Sequence, residues 1–159
     1  MRAKLVFEAF REDSDPIEDM GIGQKAMIKH WFKTWAPDVN YTIDDDFNIT
    51  VDESLYLQGT QVTKLPDNLS VGGDLYLHGT PITKLPDNLH VGGWLDLQRT
   101  QVTKLPDNLR VGGSLYLYGN PIAKLPNNLR VCGNVDIRGT NITELPKSLE
   151  VIGTVYRDF

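Results

Sequence analysis

The chain has 159 residues, 40% of them apolar and 23% charged, which is the size and make-up of one soluble-type domain. No apolar run approaches the roughly 18 residues of a membrane span, so no membrane partner is expected. A net charge of −5 argues against a general nucleic-acid binder, whose footprint is a basic stripe.

Met1–Phe10 alternates its apolar residues with charge and lacks the longer apolar run of a secretory signal. Lys4–Phe10 suits a strand, and Ser14-Asp15-Pro16 is a helix-start signal with proline at the first helical position. Gly23–Trp35 carries Met27, Ile28, Trp31, Phe32 and Trp35 at helical spacing, with Lys25, Lys29 and Lys33 on another face. Pro37 stops this helix. Tyr41–Ile43 and Phe47–Val51 then suit a hairpin around Asp44, Asp45 and Asp46. These three aspartates read as a solvated turn, because the alternating ligands, glycine and distant glutamate of a calcium loop are missing. Residues 1–54 hold six Lys/Arg against twelve Asp/Glu, whereas residues 55–159 hold ten against nine, so the acidity belongs to the first segment.

From Leu55 the chain repeats every twenty residues. The copies begin at Leu55, Leu75, Leu95, Leu115 and Val135, a partial copy precedes them at Asn48–Ser54, and VYRDF closes the chain. One such unit cannot bury its own apolar face, so neighbours must stack as a solenoid. Leu-x-Leu at the head of each copy points two leucines inward and the residue between them outward, giving a parallel sheet with strands about 4.8 Å apart. The bend that follows holds Gly59, Gly79, Gly119 and Gly139, but also Arg99, which argues against a left-handed backbone there. Thr60, Thr80, Thr100, Asn120 and Thr140 read as a hydrogen-bonding ladder that satisfies loop backbone. Further inward columns begin at Val62, Leu65 and Leu69. Pro66-Asp67-Asn68 and its copies form a turn, and the Gly pairs 72–73, 92–93 and 112–113 return the chain to the next strand. Cys132 replaces one of these glycines and is expected to be packed. As the sole cysteine it forms no internal disulfide, which suits a reducing cytosol.

The pattern Leu-x-Leu-x-x-Thr/Asn-x-Ile/Val-x-x-Leu-Pro over residues 55–154 resembles the leucine-rich repeat proteins. The short period and Leu-Pro step are similar to the bacterial YopM and IpaH effector repeats. Thr mostly stands where those repeats have Asn, and Val-Gly-Gly is not part of their pattern. LPDNLxVGG is similar to repeats of bacterial and phage proteins, so a bacterial cytoplasm is the implied setting. The resemblance implies an α+β repeat solenoid with a parallel sheet on its concave face. Residues 1–47 would form an N-terminal strand/helix cap, and residues 48–159 the solenoid with a degenerate C-terminal capping strand. Arg157, where an inward leucine is due, would blunt edge pairing at that end.

Outward columns are free to carry function. Beside and between the inward leucines lie Tyr76, Trp94, Tyr116 and Tyr118, with His78, Asp96, Gln98 and Arg138. Tyr, Trp and Arg dominate binding hot spots, and Trp94 stands in a column otherwise small or polar. These eight residues are the expected partner-binding site, with a protein as partner. The rival reading is lateral stacking that merely stabilises the sheet. Lys64, Lys84, Lys104 and Lys124, offset by Asp67, Asp87 and Asp107, read as a solvated structural row, as do His90, Arg110 and Arg130. Asp96 and Asp136, two rungs or about 9.6 Å apart, approach the spacing of an inverting glycosidase pair. No cleft or metal-ligand grouping accompanies them, so no catalytic residue, metal or cofactor is expected. The reading is a non-catalytic inhibitor or adaptor. The alternatives are an assembly or virion component that uses its caps, and an acidic nucleic-acid mimic.

Overall fold

The computed structural model describes residues 21–159; the expected strand Lys4–Phe10 and the Ser14-Asp15-Pro16 helix start lie outside them. Helix α1 (Gly21–Trp35) leads into β1 (Thr42–Ile43) and β2 (Ile49–Val51), a hairpin paired Thr42↔Thr50 and Ile43↔Ile49. The turn is built as expected, with the Asp44 carboxylate accepting from the Asp46 and Asn48 backbone and the Asn48 amide.

Thereafter every coil contributes two short strands. One set is β3 (Leu55–Tyr56), β5 (Leu75–Tyr76), β7 (Leu95–Asp96), β9 (Leu115–Tyr116), β11 (Val135–Asp136) and β13 (Val155–Tyr156). The other is β4 (Leu69–Val71), β6 (His90–Val91), β8 (Arg110–Val111), β10 (Arg130–Val131) and β12 (Glu150–Val151). The first set forms a six-stranded parallel sheet, and the second joins β2 and β1 in a seven-stranded sheet, parallel except at β1. Each strand pairs with the one twenty residues away, as in Leu55↔Leu75↔Leu95 and Val71↔Val91↔Val111. The molecule is a β-solenoid of about five turns.

The second sheet corrects the single-sheet expectation. Leu69-x-Val71 and its copies alternate inward and outward as Leu-x-Leu does, and Leu69, Val71, Val91, Val111 and Val131 are all buried. What reads as a return step is therefore the corner between two sheets. The corner is tight at both glycine columns: a Cβ on Gly72, Gly92 or Gly112 would meet the carbonyl oxygen of the preceding coil at under 3 Å. A Cβ on Gly73, Gly93, Gly113, Gly133 or Gly153 would press to under 3 Å on backbone of the preceding coil. In that column only Glu53, in the partial copy ahead of the first repeat, is not glycine. The column before it holds Asp52, Cys132 and Ile152 as well as glycines, and all three face solvent. Cys132 is thus exposed rather than packed.

The bend after the six-stranded sheet is also corrected. Gly59, Gly79, Gly119 and Gly139 have φ of 68–73°, and Arg99 adopts the same left-handed region at φ 55°. At this bend the coils repeat one backbone path, and the register of the neighbours imposes that path on arginine too. The threonine ladder is present: Thr60, Thr80, Thr100 and Thr140 each donate to the carbonyl three residues back, at 2.6–2.9 Å. Asn120 instead donates across to Thr100, leaving its buried Oδ1 without a partner.

At the first end, Ile28, Trp31, Phe32 and Ala36 join the same apolar core as the repeat leucines. Trp31 Nε1 donates to the Lys64 carbonyl at 2.9 Å, and Phe32 stacks on Tyr41. At the other end Leu145, Leu149, Val151 and Val155 are only partly buried, and Ile152 is 81% exposed. No helix among the described residues is long and apolar enough to cross a membrane.

Candidate functional site

The outer face of the six-stranded sheet carries all eight residues singled out by sequence, on β5, β7, β9 and β11 or the residues flanking them. Their neighbours touch from rung to rung. Tyr56 and Tyr76 stack with centroids 5.2 Å apart, and Trp94 meets Tyr116 edge to face at 6.0 Å. Such contacts contribute about 0.5–1.5 kcal/mol each beyond area burial. Tyr56, although on the same column, falls outside the eight; its stacking on Tyr76 brings it into the face.

Asp96 is recessed rather than displayed. It is 9% exposed, flanked in register by Tyr76 and Tyr116, and it accepts the Gln98 backbone N–H at 3.0 Å. His78 Nδ1 stands 3.3 Å from its other oxygen. Asp136 lies equally deep two rungs on, where the Arg138 guanidinium grips it through Nε at 2.9 Å and Nη2 at 2.7 Å. Those hydrogen bonds hold the Asp136 carboxyl below the ordinary carboxylate range and push Arg138 up. A carboxyl so held is a poor proton donor. Arg138 is consequently engaged by its own strand and also lies over the Tyr156 ring, 5.5 Å from its centroid. Tyr118 is 43% exposed and open.

A ladder missed by sequence runs beside this column. Ser54 Oγ accepts from the Asp74 N–H, Asp74 Oδ1 from Trp94, Ser114 Oγ from Asn134, and Asn134 Oδ1 from Thr154. Every rung but Trp94 supplies an oxygen to the next. The signal was present in the residue types, Ser, Asp, Ser and Asn at one twenty-residue position. Asp74 also accepts the Tyr76 hydroxyl at 3.1 Å; burial, then that bond, raises the Tyr76 pKa. Trp94 is 47% exposed, and its indole lies over Gly113, where a Cβ would meet the ring at 2.3 Å.

The rows of Lys64–Lys124 and Asp67–Asp107 form no ion pairs with each other among the described residues; Arg130 pairs with Glu150 at 2.9 Å. No group of three or more His, Cys, Asp or Glu among the described residues is arranged to hold a metal ion. No protein-family model, curated protein or solved structure matches the chain.

Proposed function

We propose that this protein is a non-catalytic binding module that engages a protein partner through the outer face of its six-stranded sheet. It acts sterically, as an inhibitor or adaptor, from a scaffold of leucine-rich repeat kind carried in a reducing bacterial cytoplasm. One observation carries the reading. Trp94 forgoes a ladder hydrogen bond that every comparable rung makes, worth about 1 kcal/mol, in order to display an indole. Residues kept at the expense of stability are characteristic of working surfaces. A preformed sheet also loses little conformational entropy when it binds.

The test exploits that trade. Trp94→Ser restores the missing acceptor, which offsets the edge contact with Tyr116 that it removes, so the variant should stay within about 1 kcal/mol of the parent in stability. It should nonetheless lose a partner that the parent retains on an affinity column, as should Tyr116→Ala, while Arg110→Ala on the other sheet keeps it. Undiminished capture by both face variants would sink the reading.

A second reading, assembly through the ends of the solenoid, is favoured by an exposed apolar side chain on the coil that leads into β13. There Ile152 is 81% exposed, and β12 and β13 each pair on one side only among the described residues. Assembly abolished by Ile152→Lys but preserved in Trp94→Ser would move the function to that end.

A further inference from the structure

The middle column of the six-stranded sheet reads Tyr76, Asp96, Tyr116, Asp136, Tyr156 in continuous register. It contains the same device twice: a recessed aspartate between two tyrosines. The second copy shows what the device holds. Asp136, 8% exposed, takes the Arg138 guanidinium in a two-pronged grip, and the same guanidinium lies over Tyr156. The first copy matches it in depth and in backbone, since Gln98 N–H reaches Asp96 Oδ1 as Arg138 N–H reaches Asp136 Oδ1. It differs around the carboxylate: His78, 3.3 Å from Asp96 Oδ2, stands where the second copy has Tyr118. Two residues after the aspartate stands Gln98, which is neutral and has no fork to offer.

We infer that Asp96, between Tyr76 and Tyr116, receives the guanidinium of an arginine supplied by the partner. This inference rests on the reading of the face given above. A carboxylate has about four lone-pair sites, enough for the Gln98 N–H, the His78 ring and a guanidinium edge. A planar guanidinium pairs with a carboxylate through two parallel bonds and stacks on aromatic faces, which an ammonium does not. The charge of the face agrees: Asp74, Asp96, Asp136 and Asp158 stand there against Arg138. The occupant is therefore an arginine-bearing protein segment.

The probe is N-acetyl-arginine amide titrated into the full chain, followed by the backbone amide resonances of Trp94 and Gln98. Saturable shifts are expected with arginine, markedly weaker ones with N-acetyl-lysine amide, and none with the neutral isostere N-acetyl-citrulline amide. Asp96→Asn should weaken binding about tenfold or more, the loss expected from charge-assisted bonds. Gln98→Arg should abolish it, because the variant fills its own slot as Arg138 does. Asp45→Asn, on the distant exposed turn, should change nothing. Equal binding of citrulline or lysine, or binding that survives Asp96→Asn or Gln98→Arg, overturns the inference. The two proposals fail separately. Partner capture lost with Trp94→Ser but with no arginine response at Asp96 would sink the slot and leave the face. Arginine held at Asp96 while capture survives Trp94→Ser would sink the face and leave the slot.

Discussion

The two sheets share one backbone period and one core yet differ in what they show to solvent. Both send alternate residues inward, Leu55 and Leu57 from one, Leu69 and Val71 from the other, all fully buried. Outward, the seven-stranded sheet shows Thr50, Ser70, His90, Arg110, Arg130 and Glu150, of which Arg130 and Glu150 form the ion pair. The six-stranded sheet shows residues that meet across rungs: Tyr56 with Tyr76, His78 with Asp96, Trp94 with Tyr116, Arg138 with Tyr156. Equal interiors with unequal exteriors teach that the inward columns set the stack and that the outer columns were free to diverge.

That equality breaks most visibly in the core. Leu109→Ala, before the seven-stranded sheet, and Leu115→Ala, in the six-stranded one, remove side chains that are 1% and 0% exposed. Each should cost about 3 kcal/mol, read as a lowered urea midpoint. A large loss from one and almost none from the other would show that the sheets do not share a core.

The corner between the sheets sharpens the comparison at a smaller scale. Gly113→Ala sets a methyl against the Gly93 backbone and the Trp94 indole, so about 2 kcal/mol is expected from overpacking, together with a change in Trp94 fluorescence. Gly112→Ala sets its methyl against the Gly92 carbonyl and should cost about as much, but it does not touch the indole and should leave Trp94 fluorescence unchanged. An indole moved equally by both variants, or unmoved by Gly113→Ala, would mean that the second glycine has no special part in seating Trp94.

Much of this was legible in the residues alone. The period gave the stack, and residues i and i+2 at the head of each copy gave the first sheet, because both signals repeat and neither depends on side-chain rotamers. The second sheet escaped because its alternation spans only Leu69, Ser70 and Val71 before the glycine pair, too short to stand out from a turn. The eight face residues were placed on one surface by counting alone. Their pairing was not, since whether Arg138 reaches out or folds back onto Asp136 is decided by rotamers and by Tyr156 on the next rung. The oxygen ladder through Ser54, Asp74, Ser114 and Asn134 is a column of acceptor residues, but Trp94, which offers no acceptor, interrupts the pattern in its midst.

The smallest effect concerns how the chain leaves the six-stranded sheet. Arg99 sits at φ 55° where every other coil has glycine, and its Cγ lies 3.9 Å from the position a Cβ would take on Gly119. A left-handed backbone costs a residue with a Cβ about 1–2 kcal/mol. Glycine removes that strain but adds freedom to the unfolded chain, returning roughly 0.5–1 kcal/mol of the gain. Arg99→Gly should therefore stabilise the protein by about 0.5–1 kcal/mol, a rise of a few degrees in Tm for a chain of this length. Gly119→Arg should lower it by a similar amount. An Arg99→Gly variant no more stable than the parent would mean that the arginine escapes the shared path, and with it the premise that neighbouring coils dictate the backbone of each rung.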